Sequence, residues 1–296
     1  MFLELLINGI SYGCIYALVA IGFVIVFKST NVINFAHASV LTLGAYLIAK
    51  WHKDLHFWPS VLLAALVCAV AAALLDFVLI RPLRKRRGGE ESLAIITIGI
   101  NVLLATALDK AISTDILSTG APGGSKTSEL LGVTIADTRI TAMVVAVILI
   151  GILFLVFERT DLGVGMRATA ADPETAALMG IRLGRIAAVS WAIAGALAAV
   201  AGAFFAAYPA AGVTNRTSLL ALTAIPAAVV GGLDSLLGAV VGGLIIGIAS
   251  SFVTGYQDNL DFLGRGLSGI VPYIVLFAVL LWRPSGLFGQ QSVTRV

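Results

Sequence analysis

Apolar residues occupy long blocks of this chain, at roughly 2–27, 33–50, 59–80, 93–114, 139–157, 186–208, 219–254 and 267–283, with short polar stretches between them. A helix that crosses lipid needs about 20 consecutive apolar residues. The blocks are continuous in Leu, Ile, Val and Ala rather than alternating, so they predict helices and not a membrane β-barrel. The seventh block is too long for one crossing and is interrupted at Gly231-Gly232-Leu233-Asp234-Ser235. It reads as two segments with a polar break. The expected fold is all-α: a polytopic transmembrane helical bundle of about nine spans with broken or re-entrant segments, forming one domain over residues 1–296.

Basic residues orient the bundle. The run Arg81-Pro82-Leu83-Arg84-Lys85-Arg86-Arg87 belongs on the cytoplasmic side. Counting outward, the 158–185 loop, with Arg159, Arg167, Arg182 and Arg185, is cytoplasmic too. The 115–138 loop, with Asp115, Glu129 and Asp137 against Lys126, then lies outside. Lys28 follows the first span on the inner side, and the basic tail after Arg283 is also inside. An outer start and an inner end require an odd number of crossings: nine if the seventh block splits, seven if it is a re-entrant hairpin.

Composition agrees with a membrane protein. The chain is 59% hydrophobic and only 12% charged, where a soluble domain carries about 25% charged residues. Mean hydropathy is +1.02. The net charge of +3 is what membrane orientation produces, so no nucleic acid partner is expected. The two cysteines, Cys14 and Cys68, lie inside apolar blocks and read as small buried hydrophobes. No Cys/His cluster has ligand spacing, so no metal site is expected. Met1-Phe2-Leu3-Glu4 lacks the positive segment of a signal peptide, and the first span is expected to be retained.

Several features resemble sites and are weighed in turn. Gly120 to Thr127 approach a phosphate-binding loop, but Ser125 stands where the last glycine belongs and no strand precedes it. It reads as an external turn, and ATP, if it is used, is bound by another chain. Asp109 and Asp76 are ionisable groups in apolar blocks, where such groups are costly and often functional, yet each lies within reach of an interface. His37 sits in Asn34-Phe35-Ala36-His37-Ala38-Ser39 and reads as part of a polar helix start near the cytoplasmic surface, with Asn34 as N-cap and direct proton chemistry as the alternative. Asn8, Tyr12 and Tyr16 recur every fourth residue and share one helix face. With Thr97 and Asn101 they form a candidate polar path, interhelical hydrogen bonding being the other reading. Gly238–Gly242 and Gly243–Gly247 are two GxxxG patterns, about 140° apart on a helix, giving two faces for close packing. No nucleophile–base set or carboxylate pair emerges, so no catalytic residues and no enzyme activity are expected.

The stretch RATAADPETAALMGIR, residues 167–182, is polar and helix-ready. Asp172 suits an N-cap, Pro173 the first helical position, Glu174 the positive end of the dipole and Gly180 a left-handed C-terminal position. Residues 173–179 should form a two-turn helix with Ala176 and Met179 facing one side and Leu178 beside them. A helix that short is unstable alone in water. It reads as a docking helix for a cytoplasmic partner, or as a surface helix lying on its own protein.

The segment Gly163 to Ile181 resembles the cytoplasmic loop of the LivH-type permeases, membrane subunits of ABC importers for branched-chain amino acids. Val32-Ile33-Asn34-Phe35-Ala36-His37, the glycine-rich Ala227 to Gly243 and the tail Arg283-Pro284-Ser285-Gly286-Leu287-Phe288-Gly289 are similar to the same family in the same order. Ala38 and Ser39 stand where that family usually has glycine and an acidic residue, and related permeases move urea, short amides or aromatic acids. The resemblance implies a permease in the bacterial inner membrane. It implies partners: two cytoplasmic ATPase subunits that bind ATP, a second homologous permease and an extracytoplasmic substrate-binding protein. It implies no cofactor in this chain. It also implies that Asp172, Pro173, Glu174, Ala176, Ala177, Leu178, Met179 and Gly180 couple transport to ATP hydrolysis. The breaks at Asn34–Ser39 and Gly231–Ser235 then look like matching features of two halves, which places Asn34, His37, Asp234 and Ser235 on the expected path. The rivals are a sugar or nucleoside importer of the same architecture and an ion-coupled transporter centred on Asp109.

Overall fold

The computed structural model describes residues 2–85, 89–120, 122, 126–130, 132–207, 212–214, 217–257 and 267–289. Their architecture is helical. The elements run α1 (Phe2–Thr30), α2 (His37–Leu55), α3 (Phe57–Leu75), a π-helical turn (Asp76–Ile80), α4 (Arg81–Lys85) and α5 (Glu90–Ile112). A short antiparallel hairpin, β1 (Thr127–Leu130) and β2 (Val133–Ala136), follows in the loop between α5 and α6. Then come α6 (Asp137–Arg159), α7 (Asp161–Ala171), α8 (Pro173–Leu178), α9 (Leu183–Ala207), α10 (Thr217–Leu222), α11 (Ile225–Gly231), α12 (Leu236–Gly255) and α13 (Leu267–Trp282). The hairpin, whose turn Gly132 permits at φ +77°, and an isolated bridge between Leu117 and Val213 are the departures from all-α among the described residues.

Among the described residues, six helices are long and apolar enough to cross a membrane. The three further spans expected from the sequence fall short of that criterion for separate reasons. α2 ends in Lys50, Lys53 and Asp54. α13 has 16 described residues. The first arm of the seventh block is two short helices, α10 and α11, broken at Thr223–Ala224.

The centre of the bundle is α1 and α9, packed on α2, α3 and α12. Trp191, Phe204, Leu18, Ile21, Ile25 and Leu41 are fully buried there. In lipid no hydrophobic drive separates helix from tail, so helices associate by close packing and hydrogen bonds. Small residues supply the closeness. The two GxxxG patterns of α12 do serve two faces. Gly243 faces Ala17 of α1, where a Cβ would lie 2.6 Å from the Ala17 nitrogen. Gly242 and Gly238 face Ala227 and Gly231 of α11. The outer ring is looser: α5, α6 and α13 present Ile95, Val102, Leu103, Val147, Leu155, Phe277 and Leu281 outward, as a lipid-facing surface does.

Candidate functional site

The loop helix is built by local capping. Thr160 caps α7 by accepting from the Gly163 N–H at 3.3 Å. Asp172 leaves helical geometry and caps α8, its Oδ1 accepting from the N–H groups of Glu174 at 2.9 Å and Thr175 at 3.3 Å. The Thr175 hydroxyl donates to Oδ2. These bonds favour the ionised carboxylate, the Thr175 hydroxyl foremost, and hold the exposed Asp172 below the usual carboxylate range. At the other end Gly180 adopts φ +87°. Its N–H reaches the Ala177 carbonyl and the Ile181 N–H reaches Ala176, both at 3.0 Å, which is a Schellman closure.

The expected side-chain arrangement on this helix is corrected in one respect. Ala176 turns into the protein at 4% exposure, while Leu178 and Met179 stand out at 88% and 80%. Ala176 and Met179 therefore do not share a face. Met179 is the C-cap, at φ −78° and ψ 6°, where the chain is already leaving the helix for Gly180. A cleft of about 340 Å³ lies beside this end, lined by Asp161, Leu162, Gly180, Arg182, Arg185 and Ile186.

The residues expected on a polar path separate into three places. On α1, Asn8 accepts from Arg139 of α6, Tyr12 is half-buried, and the Tyr16 hydroxyl lies 3.4 Å from that of Thr223 at the α10–α11 break. At the α1–α2 break, Thr97 Oγ1 accepts from the Phe35 N–H at 3.2 Å and lies 3.1 Å from the Ile33 carbonyl. The Ser39 hydroxyl donates to Asn101 Oδ1. Thr97 and Asn101, one turn apart on α5, thus bond across the helix interface, Thr97 to the broken backbone and Asn101 to the Ser39 hydroxyl in the first turn of α2. The interhelical reading accounts for both.

His37 opens α2 as expected, but it is 1% exposed and lies inside the protein. Its ring covers Gly22 and meets Phe23 edge-on, with centroids 4.7 Å apart. Asn34 does not cap α2: Ala36 holds the N-cap position, with no side-chain cap bond. Asn34 is buried, and its Oδ1 has no hydrogen-bond partner among the described residues. At the third place Ser235 caps α12 by accepting from the Gly238 N–H at 3.0 Å. Asp234 lies within electrostatic reach of Lys28.

Residues 121 and 123–125 of the loop resembling a phosphate site lie outside the described residues. A strand begins at Thr127, after the loop, where a phosphate-binding loop is followed by a helix. Cys14 and Cys68 are buried and unbridged. Asp109 is half-buried, and its Oδ1 has no partner among the described residues. Arg139, the partner of Asn8, has a signal in the sequence: a lone arginine at the start of an apolar block. Leu287 and Phe288, which bond the end of α11, carry no comparable local signal.

Known proteins supply the remaining observation. A family model described as branched-chain amino acid transport system / permease component matches residues 5–280. The high-affinity branched-chain amino acid transport system permease protein BraD of Pseudomonas aeruginosa is 33% identical, covering 100% of this chain and 98% of its own length. The probable branched-chain amino acid transport permease protein LivH of Methanocaldococcus jannaschii is 30% identical over 95% of this chain and 91% of its own. The permease protein LivM of Salmonella typhimurium is 25% identical over 92% of this chain and 67% of its own. No solved structure matches.

Proposed function

Given that the chain belongs to the branched-chain amino acid transport system / permease component family, and is thus a multi-pass membrane permease rather than an enzyme, we propose that it is one membrane subunit of an ATP-binding-cassette importer for branched-chain amino acids. Residues 1–296 act as a single permease domain. Two cytoplasmic ATPase subunits bind the ATP, a second permease completes the path, and an extracytoplasmic binding protein delivers the solute. The chain itself needs no cofactor.

The observation that carries this reading is α8. A capped two-turn helix presents Leu178 and Met179 almost fully exposed. It is too short to persist without packing, and its apolar end suits a groove on a soluble partner. Asp172, Pro173, Glu174 and Gly180 fix its ends, Ala176 fixes it to the permease, and Ala177, Leu178 and Met179 face the ATPase. The tight α1–α12 pair transmits the motion as a unit because interlocked backbones leave little room for sliding. The solute then moves along the seam between the permeases, beside the half-buried Asn8, Tyr12, Asp234 and Ser235, while Asn34, His37, Thr97 and Asn101 hold the α1–α2 break behind it.

The test is purification in mild detergent from the native cell, followed by uptake in proteoliposomes. Two ATPases and a second permease should co-purify, and leucine, isoleucine and valine should accumulate with ATP and binding protein. Uptake of urea, short amides or aromatic acids instead would move the substrate. Recovery of the chain alone, with uptake driven by an ion gradient, would overturn the importer reading.

A further inference from the structure

The inner end of α3 has a construction that helix packing does not require. It leaves α-helical geometry for the π-turn Asp76–Ile80, a rare form that concentrates at functional sites. It buries a carboxylate, Asp76, at 0% exposure. The ion pair that compensates it is long, with Arg84 Nη2 3.4 Å from Asp76 Oδ1. Asp76 Oδ2 and Arg84 Nε have no hydrogen-bond partner among the described residues. A buried pair stabilises only when its geometry is close and its remaining atoms are satisfied. This pair, with the Arg84 side chain 29% exposed, meets neither condition among the described residues.

Both arginines of this turn lead to the loop helix. Arg84 lines a small cleft with Lys28, Asn31, Thr169, Pro173 and Leu183, and Pro173 is the first residue of α8. The Arg81 guanidinium lies against Gly184, near the start of α9, where a Cβ would come within 2.9 Å of Arg81 Cζ. Gly184 follows closely on Gly180, the cap of α8. Across the π-turn the Arg81 N–H bonds the Asp76 carbonyl, which sets the two residues one turn apart, and the charge of Arg81 acts on Asp76. One buried carboxylate thus has two guanidinium groups in reach. One lies beside the entry to α8 and the other beside its exit.

We propose that Asp76 is a positioning residue for coupling, its carboxylate passing between Arg84 and Arg81 as α8 moves, so that the π-turn converts loop motion into displacement of the inner end of α3. The exchange keeps one carboxylate–guanidinium pair at every stage. The released arginine turns to the polar cleft or to the α9 start, so no charge is left buried alone. A two-arrangement element of this kind is what coupling between distant sites requires. The inference rests on the importer reading above.

The test uses the purified complex with its co-purifying ATPases, reconstituted with the binding protein, and reads solute taken up per ATP hydrolysed. Asp76→Asn keeps the shape and removes the charge. It should leave assembly and ATP hydrolysis in place while uptake per ATP falls about fivefold or more. Arg84→Gln should do the same, and Arg84→Lys, which keeps the charge, should restore most of the ratio. Gly184→Ala displaces Arg81 without touching the Asp76–Arg84 pair and should lower the ratio as well. A merely structural role would reduce yield and leave the ratio of surviving complexes alone. Ratios within about twofold of the parent in Asp76→Asn and Arg84→Gln, well below the coupling expected, would overturn the proposal. If Asp76→Asn does not accumulate, the Arg84→Gln, Arg84→Lys and Gly184→Ala ratios decide it by the same measure. Failure of the parent chain to recover any ATPase would instead sink the importer reading, before any variant is compared.

Discussion

Leu287 donates its backbone N–H to the carbonyl of Val230 across 2.9 Å, and Phe288 does the same to Gly231 at 3.0 Å. The segment after the last span thus returns to the end of α11 and binds carbonyls that have no donor within their own helix. Arg283 holds the returning turn by donating from Nη1 to the Leu287 carbonyl at 2.8 Å. The tail is a clasp on the glycine-rich break between α11 and α12.

Leu287→Pro removes the donor and leaves the carbonyl of the fully buried Val230 without its partner. The cost of an orphaned buried acceptor is about 1–3 kcal/mol. The thermal midpoint of the detergent-purified chain should fall, and Leu287→Ala, which keeps the N–H, should fall less. Equal midpoints for the two variants would show that the clasp bond does not stabilise the break.

The α1–α12 seam makes a second prediction. A Cβ on Gly13 would lie 2.7 Å from the Leu244 Cα, a backbone atom that cannot yield as a side chain does. Gly99 and Gly151 have nothing within 4 Å. Gly13→Val should therefore abolish or sharply reduce accumulation in the membrane, while Gly99→Ala and Gly151→Ala should accumulate normally. Wild-type levels of Gly13→Val on a membrane-fraction blot would contradict the packing.

What was legible in the sequence was local. Asp172 and Gly180 cap a helix through bonds two or three residues away, and Pro173 suits its first position without any bond, so their roles can be read along the chain. The two glycine faces of α12 follow from helical periodicity alone. The partners of the polar path are not local. Ser39 meets Asn101 across 62 residues and Asn8 meets Arg139 across 131, and no spacing rule reaches that far. The α10–α11 break at Thr223 lies inside an apolar block, where hydrophobicity is silent about helix direction. Periodicity assumes helix to the last residue and so sets Met179 beside Ala176, whereas the C-cap has already left the helix.

Asp172 makes stability of the loop helix depend on pH. Its folded-state pKa is lowered, mainly by the Thr175 hydroxyl. A lowered carboxylate contributes stability above its unfolded pKa and loses it as pH falls through the folded value. The cap is therefore intact at neutral pH and released in acid, below the ordinary carboxylate range. Hydrogen exchange at Glu174 and Thr175 should quicken, after correction for intrinsic rates, only in that acidic window. Asp172→Asn keeps an acceptor oxygen and should remove the pH dependence. A window near neutrality would mean that another group controls the helix.

Ala176 and Leu178 separate folding from docking on the same helix. Ala176 is buried against the permease and Leu178 is 88% exposed. A charge at Ala176 has to enter the protein without a partner, which destabilises by several kcal/mol, so Ala176→Asp should lower both accumulation and thermal midpoint. Leu178→Asp or Met179→Asp changes only what a partner would touch. Each should accumulate normally, keep the parent midpoint, and lose about 1–3 kcal/mol of partner affinity, the scale of truncating a buried anchor. The measurement is the thermal midpoint of the isolated permease beside the fraction of ATPase retained on it during purification. If Leu178→Asp retained ATPase like the parent, the exposed end of α8 would not be the docking surface. If it lowered the midpoint as Ala176→Asp does, Leu178 would be packed against its own protein. The two residues lie on opposite sides of one short helix, so the comparison holds the backbone, the caps and the loop constant and varies only which side receives the charge.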